Sequence, residues 1–412
     1  MDDNEEPVPE VTDDEDVDEI EQSIPRLKEA KRVIKGLLHE AATIQDKPLK
    51  IAPNINLKEV APAPKPEAEP LKPEDGPEAP AEEPVIEPTP PPEATSITLF
   101  GNEILPGTST RLAWSPSVQI AGLSQPTPVL VVNGEKAGPT LCLVGAIHGD
   151  ELNGIEIIRR VLYDLKPQEL SGQVIGVPIV NLQGFQQGSR YLPDRRDLNR
   201  HFPGSPRGHL ADRFANALFE QIVSHCDMLV DIHTGSFRRT NLPQLRADMN
   251  VPEVAVFTRG FDRIAVVHSS GSPGMLRNAA VAAGIISVTL EAGESSRIQE
   301  HQIKAGVNSL HSLMEKQGVI SRLFSWGQPE PVYYDTYWIR SEFGGILSSK
   351  ISLGDQVFKD QVLGVVTDPI TNAQFKIKAL GSGRVIGMAV DQVVMSGFAA
   401  YHIGKEAETP AE

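Results

Sequence analysis

The chain has 412 residues and 40% of them are apolar, so it is long enough for two or three domains with a sizeable core. Its net charge of −17 lies mostly in residues 1–95, which hold 25 acidic and 10 basic side chains and leave 30 and 28 for the rest. The nearly neutral remainder argues against nucleic-acid binding.

No apolar run reaches the roughly 20 residues of a membrane span and no signal-peptide pattern is found, which predicts a cytoplasmic protein without membrane contact. The two cysteines, Cys142 and Cys226, predict neither a disulfide framework nor a cysteine-rich metal site.

Residues 1–95 are expected to form an acidic, proline-rich and mostly disordered extension. The first 22 residues contain 12 acidic groups and no basic one, so they repel one another and bury little apolar surface. Apolar residues near 24–42 recur at three- and four-residue spacing, which predicts an amphipathic helix. Residues 51–95 contain 13 prolines, as is typical of a stiff linker. The helix either docks on a protein partner or rests on its own protein, and the sequence leaves both interpretations open.

From residue 96 to 328 the pattern predicts an α/β domain. Apolar segments such as TLCLVGAIHG and MLVDIHTG alternate with helical stretches such as ELNGIEIIRRVLYDL. Short buried strands that alternate with longer helices indicate a mostly parallel or mixed sheet with helices on both faces. Functional sites in such sheets gather at the carboxyl ends of the strands.

Residues 329–405 are predicted to form a second, smaller domain. Helical spacing disappears there, and Gly-Asp and Gly-Ser turns separate short alternating segments, as in GGILSSKISLGDQVFKDQVLGVVTD. This pattern is typical of a small β-barrel or sandwich.

A candidate metal site follows two of the predicted strands. In GAIHGDELNG, His148 and Glu151 have a three-residue spacing that can aim an imidazole and a carboxylate at one point. His233 in DIHTG follows another strand and would complete the set if the two strands are neighbours. Two histidines and one glutamate leave a fourth position open, which is the pattern of a catalytic zinc.

Four motifs in order resemble the succinylglutamate desuccinylase and aspartoacylase family, within the wider zinc carboxypeptidase clan. They are GAIHGDELNG, PIVNLQGFQQGSRYLPDRRDLNRHFPG, LVDIHTG and VTLEAG. The resemblance covers about residues 96–405 and implies a zinc-carboxypeptidase-like α/β/α sandwich followed by a small β-barrel. It also implies one zinc ion per chain, held by His148, Glu151 and His233.

The resemblance assigns roles to five further residues. Glu291 matches the family's catalytic glutamate, which takes a proton from the attacking water and passes it to the departing amine. Arg190 matches the arginine that stabilises the oxyanion, and Asn199 and Arg200 match the pair that binds a substrate carboxylate. Asp197 matches the aspartate that orients His148.

One segment departs from the family pattern. After His233 the chain reads HTGSFRRTNLPQLRAD, in which Arg238, Arg239 and Arg246 make the loop strongly cationic. These arginines either bind a second anionic group of the substrate or belong to a salt-bridged loop. Both interpretations stay open at this stage.

The sequence therefore predicts a zinc-dependent amidohydrolase that acts on a small anionic N-acyl amino acid. The alternative within the same clan is a carboxypeptidase or deglutamylase that acts on the end of a peptide, such as a glutamate-ended one. A non-catalytic scaffold is the third interpretation, disfavoured by the intact set of ligands, base and arginine. The sequence leaves the acyl group, the amine and the oligomeric state open.

Overall fold

The structure is a computed structural model, and it describes residues 93–116, 125–236, 238–321 and 332–405. The predicted extension over residues 1–95, with its helix near 24–42, lies almost entirely outside this part. The boundary predicted after residue 328 lies in the gap between 321 and 332. The domain limits therefore stay predictions.

The described residues contain six α-helices and 19 strands. The helices are α1 (Leu152–Asp164), α2 (Leu182–Gln187), α3 (Leu210–Gln221), α4 (Pro252–Thr258), α5 (Leu276–Ala282) and α6 (Glu300–Lys316). The first ten strands are β1 (Ile97–Leu99), β2 (Asn102–Ile104), β3 (Thr108–Trp114), β4 (Thr127–Asn133), β5 (Lys136–Gly145), β6 (Ser171–Val177), β7 (Met228–Gly235), β8 (Arg239–Ala247), β9 (Ala265–His268) and β10 (Ile286–Glu294). The remaining strands are β11 (Val332–Tyr333), β12 (Asp335–Arg340), β13 (Gly345–Ser349), β14 (Gln356–Val357), β15 (Val362–Thr367), β16 (Gln374–Lys378), β17 (Gly383–Ala389), β18 (Val393–Val394) and β19 (Ala399–Lys405).

A large mixed sheet of 13 strands forms the centre of the fold. Ten of its strands follow the order β12-β19-β17-β8-β10-β7-β5-β6-β4-β3. The four central strands β10, β7, β5 and β6 are parallel, and the neighbouring strands β8 and β4 run antiparallel to them. The carboxyl ends of β5, β7 and β10 therefore meet at one edge of the sheet.

Helices cover both faces of this sheet, because its central strands carry apolar side chains on both faces. Along β5, Leu141 and Leu143 belong to the core under α1 and α6, whereas Cys142 and Val144 belong to the core under α3 and α5. This alternation follows from the two-residue period of a strand. The predicted α/β/α sandwich is confirmed.

The C-terminal strands both extend the large sheet and build a smaller sandwich. Strand β17 pairs with β8, so the segment β12-β19-β17 continues the large sheet. A separate four-stranded sheet, β16-β15-β13-β18, shares a third core with these strands. Tyr401 of β19 and Leu363 of β15 are both fully buried in that core.

A disulfide joins Cys142 of β5 to Cys226, which lies just before β7, with the Cα atoms 5.8 Å apart. The sequence predicts no disulfide framework, and a spacing of 84 residues gives no local sign of this single bond. The two residues meet because β5 and β7 are adjacent strands. Structural disulfides are rare in the reducing cytosol, so this bond weighs against the cytoplasmic location, which stays a prediction. Among the described helices, none combines the length and apolarity that a membrane crossing requires.

Candidate metal centre and substrate cavity

The turn between β5 and α1 carries His148 and Glu151. Within this turn Gly149 packs against the main chain of Gly184, and a Cβ atom at that position would overlap it. Only glycine permits such a close approach of two backbones. The turn is thereby held against the start of α2, with both candidate ligands buried.

Strand β7 brings His233 to the same place. Gly154 of α1 lies against β7 so closely that a Cβ atom there would come within 3.0 Å of the carbonyl oxygen of Ile232. Nδ1 of His148 lies 2.8 Å from Oε1 of Glu151, and Nδ1 of His233 lies 2.8 Å from Oε2 of the same carboxylate. The two Nδ1 atoms are 3.1 Å apart. Three side chains from two neighbouring strand ends thus converge on one point.

The outer nitrogen of each imidazole faces an aspartate. Nε2 of His148 lies 2.9 Å from Oδ1 of Asp197, as the sequence predicts. Nε2 of His233 lies 2.9 Å from Oδ2 of Asp231, which the sequence analysis missed. The hydrogen bond to Asp197 orients the ring of His148, and the charge of Asp231 attracts the ring of His233. Both Nδ1 atoms face Glu151.

The electrostatics of this cluster favour ionised carboxylates. Burial opposes ionisation of Glu151, but the attraction of His148 and His233 outweighs it and holds the pKa of that carboxyl well below its usual range. Burial likewise opposes ionisation of Asp197, yet His148 and Arg190 lower its pKa. For His233, burial opposes the charged form, and the attraction of Asp231 and Glu151 raises its pKa well above the ordinary value.

This donor set fits a divalent cation such as zinc. The carboxylates of Glu151, Asp197 and Asp231 carry three negative charges, and the guanidinium of Arg190 carries one positive charge. Two negative charges therefore stay uncompensated if both imidazoles are neutral. Asp231 is completely buried, and among the described residues its oxygens make no well-aligned hydrogen bond. Tetrahedral zinc places ligand atoms about 3.3 Å apart, which is slightly wider than the separations here. A small outward movement of the three side chains would accommodate the ion.

Arg190 lies directly beside the cluster. Its Nη1 atom is 3.1 Å from Nδ1 of His148 and donates to Oε1 of Glu151 at 3.1 Å, while Nη2 donates to Oδ2 of Asp197 at 2.9 Å. Burial opposes the charge of the guanidinium, but Glu151 and Asp197 raise its pKa. Arg190 is therefore a fixed positive charge at the edge of the candidate metal site.

Asn199 and Arg200 lie in a short 3₁₀ turn after Asp197. The amide nitrogen of Asn199 is 3.3 Å from Nε2 of His233, and its oxygen accepts a hydrogen bond from the main chain of Leu276. Arg200 donates to the carbonyl oxygen of Asn199 at 2.7 Å. Both side chains line the cavity described below.

Glu291 lies next to His233 in the register of the parallel strands β10 and β7. Nε of Arg246 is 3.0 Å from its Oε1, although the angle is not that of a good hydrogen bond, and Asn241 donates to its Oε2 at 3.0 Å. Adjacent strands are roughly 4.8 Å apart, so the backbone of Glu291 lies about one strand spacing from the backbone of His233.

A cavity of about 240 Å³ connects these groups. The metal cluster, Glu291 and five arginines line it; the arginines are Arg190, Arg200, Arg239, Arg246 and Arg277. Arg238 is not among the lining residues, because its exposed side chain forms an ion pair with Asp391. For that residue the geometry favours the salt-bridged alternative.

Sequence reasoning missed several residues in or beside the cavity lining, among them Asp231, Asn241, Arg277 and Trp338. Only Asp231 has a local signal, because residues two apart in a strand point to the same side, and Asp231 precedes His233 by two. The others reach the cavity through tertiary structure alone.

The fold and the site together define the class of the protein. It is a zinc-carboxypeptidase-like α/β/α sandwich with a buried two-histidine, one-glutamate cluster at the carboxyl ends of its central strands. Residues 137–316 match the family described as succinylglutamate desuccinylase/aspartoacylase catalytic domain. The resemblance predicted from the motifs is confirmed. Members of the family are deacylating hydrolases that act on amide bonds.

Individual proteins are also similar to this chain. An N-alpha-acetyl-L-2,4-diaminobutyric acid deacetylase of Halomonas elongata is 26% identical over 255 residues, which cover 58% of this chain and 74% of the relative. Two solved structures share the fold. A succinylglutamate desuccinylase/aspartoacylase from Rhodobacter sphaeroides is 23% identical with a TM-score of 0.66 and covers 73% of this chain and 96% of its own. The product-bound ectoine utilization protein EutE (DoeB) from Ruegeria pomeroyi is 24% identical with a TM-score of 0.65, and the match covers 76% of this chain and 99% of that protein.

Proposed function

We propose that this protein is a zinc-dependent deacylase that hydrolyses the amide bond of a small, anionic N-acyl amino acid. The observation that carries the proposal is the single cavity that unites the metal cluster, Arg190 and Glu291. His148, Glu151 and His233 would hold the ion. When bound, zinc polarises the amide carbonyl and lowers the pKa of water.

The residues of the chain have separate tasks in this proposal. Glu291 takes a proton from the attacking water and delivers it to the departing amine nitrogen. Arg190 stabilises the negative charge that develops on the carbonyl oxygen, because its guanidinium is already fixed beside the cluster. Asp197 and Asp231 keep the two imidazoles oriented.

The lining of the cavity supports an anionic substrate. Arg200 and Arg277 have no carboxylate within ion-pair distance among the described residues, in contrast to Arg190 and Arg246. Arg277 is 4% exposed, and its Nε has no hydrogen-bond partner in the described part of the chain. A substrate carboxylate would neutralise such a buried guanidinium. We therefore assign substrate binding to Arg200 and Arg277, with Asn199, Arg239 and Arg246 in the surrounding wall.

The size of the cavity supports one of the two hydrolase alternatives. A volume of about 240 Å³ suits a small acylated amino acid. A carboxypeptidase or deglutamylase needs an open trough for the rest of the polypeptide. The small cavity therefore favours the deacylase.

The test combines metal analysis with a substrate screen. Purified protein is expected to bind about one zinc ion and to release free amine from at least one N-acyl amino acid, in preference to glutamate-ended peptides. Glu291→Gln should keep the zinc and lose activity by a factor of about 10² to 10⁴. Glu294→Gln, on the same strand but outside the cavity lining, is the matched control. Protein that holds no zinc, or a Glu291→Gln variant as active as the control, contradicts the proposal.

A further inference from the structure

Trp338 is the one described residue of the C-terminal strands that lines the substrate cavity. It lies on β12, whereas the metal cluster and the catalytic carboxylate all come from the α/β part. A bulky indole is thus placed in the cavity wall by strands that follow the catalytic domain.

The indole is held by its neighbour across the strand pair. Trp338 lies opposite His402 in the antiparallel register of β12 and β19, and the two rings are stacked with centroids 4.4 Å apart and an interplanar angle of 5°. His402 is 3% exposed. Burial, assisted by Arg246 and Arg239, lowers the pKa of His402 to about 3, so the ring beneath the indole is neutral.

Arg239 fixes the same wall. Its guanidinium carbon lies 5.1 Å from the centroid of the Trp338 ring and 4.8 Å from that of Phe398, and its Nε donates to the carbonyl oxygen of Ala399 at 3.0 Å. A guanidinium beside aromatic faces is favourable and limits the rotation of both side chains. These contacts on two sides hold the Trp338 side chain in the cavity wall.

We propose that Trp338 is a specificity-determining residue that sets the upper size limit of the substrate. This inference rests on the proposed deacylase function. A rigid indole in a cavity of about 240 Å³ leaves room for a small acyl group and amino acid and excludes bulkier ones by contact. The size limit thus comes from the C-terminal strands, whereas the chemistry comes from the α/β part.

The experiment measures kcat/KM for two substrate series. One series lengthens the acyl group on one amino acid from acetyl to butanoyl, hexanoyl and benzoyl. The other keeps the acetyl group and enlarges the amino-acid side chain. Trp338→Ala is expected to raise the ratio of kcat/KM for bulky over small substrates by about 10-fold or more in at least one series, and Trp338→Phe should give a smaller increase.

Two comparisons keep the outcomes distinct. Tyr337→Ala removes a large ring from the same strand but outside the cavity lining, so a general loosening of β12 would change its selectivity too. A Trp338→Ala variant, or Trp338→Phe if the alanine variant does not fold, that keeps its activity and the wild-type size preference in both series overturns the proposal. An equal rise in the ratio of kcat/KM for bulky over small substrates in Tyr337→Ala also overturns the proposal. Wild-type protein that cleaves no N-acyl amino acid overturns the proposed function, and the size limit with it.

Discussion

The carboxylate of Asp231 lies 2.9 Å from Nε2 of His233, the ring nitrogen that faces away from the candidate metal site. His148 has the same arrangement with Asp197. The two imidazoles are thus oriented by one carboxylate each, and both present Nδ1 to Glu151.

We expect Asp231→Asn to weaken zinc binding by about 10- to 100-fold, because an amide orients the imidazole less firmly and adds no negative charge. Asp197→Asn should have at least as large an effect, since Asp197 also binds Arg190. Competition with a chelator of known affinity measures both. Unchanged zinc affinity in Asp231→Asn would show that the contact does not support the metal site.

Substitutions of Arg277 and Arg238 are expected to have different effects on KM. Arg277→Gln should raise KM for an anionic substrate by about 10-fold or more, because it removes a buried charge from the cavity lining. Arg238→Gln should change KM by less than about twofold, since its exposed ion pair with Asp391 contributes little. Steady-state kinetics of the two variants decides between them. Equal effects would mean that cavity lining does not identify the substrate-binding arginines.

The Cys142–Cys226 bond should stabilise the folded chain. It closes a loop with a sequence separation of 84, and a disulfide across so long a loop restricts the unfolded state. We expect the double variant Cys142→Ala with Cys226→Ala to lower the free energy of unfolding by about 2–4 kcal/mol, measured by urea denaturation. A thiol count on the denatured, unreduced wild-type protein is the control. Two free thiols in that count would refute the disulfide.

His402 predicts a pH dependence of stability. Its pKa is lowered from 6.5 to about 3 in the folded protein, chiefly by burial, with Arg246 and Arg239 adding to the effect. Between these values the unfolded chain binds a proton that the folded chain does not, so stability falls as the pH decreases. We expect this group to reduce the free energy of unfolding by up to about 2 kcal/mol between pH 7 and pH 5.

The variant His402→Phe isolates this effect, because it keeps a ring for the stack with Trp338 and removes the titration. Its stability should decrease less than that of the wild type over the same pH range. Parallel pH profiles of the two proteins would show that the buried imidazole does not contribute.

The sequence determined the class of the fold and the metal cluster, because both depend on the order and spacing of residues that are close in the chain. Alternating apolar strands and amphipathic helices specify a sheet covered on both faces. His148 and Glu151 are three residues apart, and His233 follows a strand, so their meeting required only that β5 and β7 be neighbours. Asp197 behind His148 followed from the family motif.

Only the tertiary structure decided how the site is closed and which charges face it. Arg277 arrives on α5, Asn241 on β8 and Trp338 on β12, and nothing in their local sequence distinguishes them from residues of the surface or the core. Arg238 and Arg239 are adjacent in sequence, yet the first pairs with Asp391 and the second lines the cavity. The physical reason is that Arg238 precedes β8 with a positive φ of 62°, whereas Arg239 is the first residue of that strand, and which side chain meets the cavity depends on strands far away in the chain.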